Sequence, residues 1–138
     1  MKNPLLMLCL LLPLSVSAAE KQRPIDNALD SCMNKTSTTL GMTQCYDAAY
    51  HAWDKEMNAA YQAALAKRDA TQKQQLRTAQ RNWLTYRASW MTAAKGYVLK
   101  QQGTMAGLTL GAQNVELVKQ QALMLKSLNS ACGNPDDC

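Results

Sequence analysis

Apolar residues recur at three- and four-residue steps along most of this chain, which is the period of an α-helix and not the alternation of a strand. From Cys45 to about Lys67 they fall at Ala49, Trp53, Met57, Ala60 and Ala64, with Tyr46, Tyr50, Tyr61 and Leu65 widening the stripe. That spacing predicts a long amphipathic helix, with Thr43 placed to cap its start. Asp69-Ala70-Thr71-Gln72 fits a capping box, so a second long helix is expected to open there, antiparallel to the first across a tight link. Leu76, Ala79, Trp83, Tyr86, Trp90, Ala94 and Tyr97 continue it with helical spacing. Before both, Pro24 suits the first position of a short helix through Ile25, Leu29 and Cys32, which Lys35-Thr36-Ser37-Thr38-Thr39 and Gly41 interrupt.

The span from Gly103 to Gly111 holds three glycines among Thr104, Met105, Leu108, Thr109 and Leu110 and reads as a loop with apolar contents. An exposed apolar loop is a contact surface in waiting, which makes Met105 and Leu108 candidate partner contacts. From Ala112 to Leu128, Val115, Val118, Ala122 and Leu125, with Leu117, Met124 and Leu128, support a last helix. Gly133-Asn134-Pro135-Asp136-Asp137 then ends it. With no internal repeat and no long linker, the expected fold is all-α, a single small helical bundle of about four helices.

The first residues follow a different pattern. Lys2, the apolar run Leu5 to Leu14 and the small residues Ser15-Val16-Ser17-Ala18-Ala19 have the three parts of a secretory signal, so residues 1–19 are expected to be removed and 20–138 to form the domain. The run spans roughly ten residues where a bilayer takes about twenty, so no stable membrane insertion is expected. Cys9 lacks the small residues that a lipoprotein cleavage box needs before its cysteine and leaves with the leader.

Losing Cys9 leaves Cys32, Cys45, Cys132 and Cys138, an even set that in an exported chain reads as two disulfides. Zinc fits poorly, because no Cys-x-x-Cys occurs and His51 is the only histidine. Three pairings are open; Cys32 with Cys45 and Cys132 with Cys138 each enclose a short segment able to turn back on itself. Losing Lys2 as well leaves fourteen Lys and Arg against ten Asp and Glu, a mildly basic +4.

Candidate chemistry is sparse. Asp47, His51 and Asp54 share a helical face and are the one group suited to a metal or a proton relay, although a solvated face beside Trp53 accounts for them as well. Asp54 and Glu56 project to nearly opposite sides of a helix and form no carboxylate pair. Phosphate loops and serine-nucleophile motifs are missing from the sequence, so neither an enzyme nor a cofactor is expected. Lys67, Arg68, Lys73, Arg77, Arg81 and Arg87 make the link and second long helix basic. Export argues against nucleic acid, leaving Lys73, Arg77 and Arg81 either as rim contacts for an acidic protein or as a solvated face. Asn58, Gln80 and Arg87 lie beside the aromatic stripes and are expected to hydrogen-bond across helices and fix their register.

Cys32 and Cys45 bracketing Met42-Thr43-Gln44, the segment Trp53 to Tyr61 with Glu56-Met57-Asn58 and Tyr61, and Ala79-Gln80-Arg81-Asn82-Trp83-Leu84-Thr85-Tyr86-Arg87 together resemble the LprI family of bacterial exported proteins. The resemblance runs from about Cys32 to Leu128 and implies a helical domain; the family takes its name from a mycobacterial lysozyme inhibitor. Members usually carry one cysteine after the Tyr-Arg pair and another before the last helix. Here Trp90 stands at the first position and 110–115 has none. The resemblance thus implies that Cys32–Cys45 is the retained family bridge, that Cys132 and Cys138 are a local addition, and that Trp90 fills the vacated space. Its functional implication is a periplasmic or secreted protein-binding module that inhibits lysozyme or another peptidoglycan-cleaving enzyme. The alternative is an immunity-type or structural interaction protein for an acidic periplasmic partner. Charge favours an acidic partner, because common lysozymes are basic and a +4 inhibitor forgoes electrostatic steering toward them.

Overall fold

The computed structural model describes residues 23–130, all of whose regular elements are helical. Three long helices, α2 (Thr39–Ala66), α3 (Ala70–Gln102) and α4 (Ala106–Ser130), carry the fold. Of the four helices expected, the remaining one, α1 (Pro24–Met33), is only ten residues long. Cys132, Cys138 and the expected leader, residues 1–19, lie outside the described residues.

Pro24 occupies the first turn of α1, where its missing N–H costs nothing. The start of α2 lies earlier than the apolar stripe suggested, because Thr38 and not Thr43 is the cap. The Thr38 hydroxyl accepts from the Gly41 N–H at 3.0 Å, while Thr43, inside the helix, donates to the Thr39 carbonyl. Asp69 and Gln72 form the expected capping box at the start of α3.

The core is built mainly between α2 and α4. Ala49, Trp53, Met57 and Ala60 of α2 meet Val115, Val118, Ala122, Leu123 and Leu125 of α4, with Ile25 and Leu29 of α1 packed against them. The two helices run in the same direction, as pairings from Gly111 at Tyr46 to the Asn129 amide on the Ala60 carbonyl show. At Gly111 an added Cβ would lie 3.0 Å from Tyr46 Cβ, so this glycine marks close helix approach and not a loop. The expected apolar loop is therefore helical. A single 3-10 turn, Gly103–Met105, begins with Gly103 at φ 55°, a conformation that disfavours a side chain, and α4 starts immediately after it.

A disulfide joins Cys32 to Cys45, with Cα atoms 5.7 Å apart, and fastens the end of α1 to α2. From the other end, Asp26 accepts an ion pair from Lys119 of α4 at 2.8 Å. α3 returns alongside the α2–α4 pair and leans mainly on α4. Gln80 and Val98 are its buried side chains, whereas Tyr86, Trp90 and Tyr97 are exposed. The aromatic stripe of α3 is thus largely an outer edge. Trp90, expected to fill a buried space, remains 46% exposed and stacks on Tyr86 with ring centroids 6.4 Å apart.

Candidate functional site, the outer surface of α3 and its tip

The polar residues that fix α3 have distinct partners. Gln80 is buried and bridges both neighbours, donating to Met57 Sδ of α2 and accepting from Gln121 Nε2 of α4 at 2.8 Å. Arg87 donates through Nε and Nη2 to Asn114 Oδ1 at 3.1 and 2.9 Å, and its guanidinium lies over the Tyr50 and Trp83 rings. Both thus hold α3 in register against the α2–α4 pair. Asn58 does not. It is exposed and turns back on its own helix, donating to the Asp54 carbonyl and carboxylate, because no neighbouring helix covers that edge.

That bond also takes Asp54 away from any site with His51. His51 and Asp47 face each other at 3.6 Å with about 70% of each side chain exposed, which is the solvated-face arrangement. Among the described residues, no group of three or more His, Cys, Asp or Glu side chains is arranged to hold a metal ion. No described helix is long and apolar enough to cross a membrane.

The basic residues divide into two sets. Lys67 and Arg68 serve the fold: Arg68 donates to the carbonyls of Ala64 and Leu128, and Lys67 to that of Asn129, capping the ends of α2 and α4. Arg77 and Arg81 are exposed on α3, and Lys73 is half-buried in its first turns. Arg81 donates to the Thr78 hydroxyl, a contact within its own helix. A signal that spacing arguments overlooked is the complete absence of carboxylates from Ala70 to Val115. All of α3 and the following turn carry Lys73, Arg77, Arg81, Arg87, Lys95 and Lys100 with no Asp or Glu among them. Unbroken positive potential of this kind attracts acidic surfaces from a distance.

At 33 residues, α3 is five residues longer than the 28-residue α2, about 7 Å of extra helix at 1.5 Å per residue. Since Gly107 lies beside Thr43 near the start of α2, the turn between α3 and α4 sits at that end of the bundle. This end of α3 exposes apolar side chains: Tyr97 is 70% exposed, Met105 is 50%, and Leu99 is similarly open. Leu40 is exposed on the first turn of α2. Lys95 and Lys100 are exposed on the last turns of α3. Leu108, expected beside Met105 at the surface, is half-buried on the first turns of α4. The Thr109 hydroxyl donates to Gln102 Oε1 at 2.6 Å and ties α4 to the end of α3. Met105 is therefore accessible at the surface, whereas Leu108 is drawn inward.

The sequence profile of the family described as Lysozyme inhibitor LprI matches residues 32–125. A crystal structure of an uncharacterized protein from Burkholderia thailandensis is similar at a TM-score of 0.72 and 28% identity, over 83% of this chain. The match spans only 58% of that protein's length. No curated protein matches the chain.

Proposed function

Because this chain belongs to the LprI family of lysozyme inhibitors, we propose that it acts outside the cytoplasm as a protein-binding inhibitor of a peptidoglycan-cleaving glycosidase. The observation that carries this reading is the cationic, carboxylate-free α3 ending in exposed apolar side chains. Glycosidases of this kind typically cleave with a pair of Asp or Glu residues flanking the scissile bond, so their substrate clefts are concave and acidic. The end of α3, with exposed Tyr97, Leu99 and Met105 for burial and Lys95 and Lys100 for charge, would complement such a cleft in chemistry and sign. Arg77 and Arg81, near the opposite end of α3, would act at a distance, where charge contributes more to association rate than to affinity. Overall charge selects further, favouring an enzyme whose surface is acidic.

Titration of muramidases of differing net charge with the purified protein tests the proposal. Stoichiometric inhibition, strongest for the acidic enzymes and weakened at least tenfold by Met105→Asp, is the expected result. Tight binding to an acidic protein without any loss of muramidase activity would favour the second reading, an immunity-type partner protein using the same charge.

A further inference from the structure

On the edge of α3 away from Arg77 and Arg81, the exposed aromatics border an open groove. Tyr86 is nine residues from Arg77, and Trp90 nine from Arg81; nine residues are two and a half turns of helix, so the two sets point in opposite directions. The groove, of about 310 Å³, is lined by Tyr86 and Trp90 of α3 and by Gln113, Glu116, Leu117 and Gln120 of α4. Its two rings are stacked, 28° from coplanar. Gln120 Nε2 donates to Glu116 Oε1 at 2.7 Å and holds that carboxylate in place, while Gln113 Oε1 is enclosed with no hydrogen-bond partner.

We propose that this groove is a binding site for an oligosaccharide containing N-acetylated hexosamine. A pyranose ring presents C–H groups on its faces and hydroxyls around its rim. Its faces suit the electron-rich surfaces of Tyr86 and Trp90, as cations suit them for the same electrostatic reason. The rim hydroxyls suit the opposite wall, where two amides and one carboxylate supply both donors and acceptors. An acetamido substituent matches what remains: its methyl packs on Leu117, and a turn of the Gln113 side chain, whose Oε1 is enclosed and unpartnered, would bring that acceptor to its N–H. Charge excludes an acidic occupant, because the one charged lining residue is Glu116 itself. The site is independent of the inhibitory tip, so a glycan and a protein partner occupy different surfaces.

The test is calorimetric and fluorimetric titration of the purified protein with the tetramer of N-acetylglucosamine and with the glucose tetramer of the same linkage. Saturable binding with a change in tryptophan emission is expected for the first, at least tenfold tighter than for the second. Trp90→Ala should abolish both the binding and the emission change while leaving helical circular dichroism intact, since Trp90 is half-exposed and outside the core. Gln113→Leu should remove the preference for the acetylated tetramer, and Met105→Asp should leave glycan binding unchanged. Absence of saturable binding, equal affinity for the two tetramers, or unaltered binding by Trp90→Ala would overturn the proposal. Loss of muramidase inhibition in Trp90→Ala without glycan binding would instead assign the groove to the protein partner.

Discussion

Arg87 shows how one side chain can decide where a helix lies. Its guanidinium spends two N–H groups on Asn114 and lies over Tyr50 and Trp83, so it joins α3 to both α4 and α2. Arg87→Ala should lower stability by about 2–3 kcal/mol, the size of hydrogen bonds to a charged group together with a cation–π contact. Chemical denaturation would measure it, and Arg87→Lys should recover little, because an ammonium cannot reproduce the planar fork. Residue roles of this kind were partly legible in the sequence. Gln80 and Arg87 stood out as polar groups next to aromatic stripes, and both do cross helices. Asn58 carried the same local signature but lies where no helix approaches, and sequence spacing has no means of locating that gap. Charge was legible too, but as an absence: the stretch without Asp or Glu says more than the positions of individual Lys and Arg.

Among the elements, α2 is capped at Thr38 and not at Thr43, but its stripe and end were read from the sequence, since an apolar stripe buried against one partner leaves an unambiguous 3.6-residue period. The beginning of α4 was not, because Gly107 and Gly111 look like loop residues until the approach of Tyr46 explains why one of them must be small. Gly111→Leu should therefore force α4 away from α2 and cost about 1–3 kcal/mol, typical of overpacking, seen as a lower midpoint in thermal unfolding. The stripe of α3 misled for another reason. Aromatic residues at helical spacing look like core, yet α3 packs inward through Leu76, Gln80, Trp83 and Arg87 and leaves Tyr86, Trp90 and Tyr97 to the outside. For α1, ten residues are too few to hold a helix alone, so its place depends on the Cys32–Cys45 bond, the Asp26–Lys119 pair and the packing of Ile25 and Leu29. Replacing both cysteines by serine should cost about 3 kcal/mol, following the loop-closure relation for a segment of this length. Hydrogen exchange should then accelerate in 24–33 while the α2–α4 core stays protected.

At the scale of the whole molecule, the disulfide and the α2–α4 core form a rigid base from which α3 extends, cationic along its length and apolar at its tip. Partner binding driven by this field should depend steeply on salt, since exposed charges are screened beyond a Debye length of about 8 Å at physiological ionic strength. The association rate should fall with added salt and the dissociation rate change much less. The central claim is that the tip and cationic edge of α3 block an acidic cell-wall glycosidase. The most direct measurement is the inhibition constant against such an enzyme for the wild type and for a variant carrying Arg77→Glu, Arg81→Glu and Lys95→Glu, all at exposed positions. Stoichiometric inhibition by the wild type, weakened at least a hundredfold in a variant that remains folded, is the predicted result. Equal inhibition by both proteins, or none by the wild type, would contradict it.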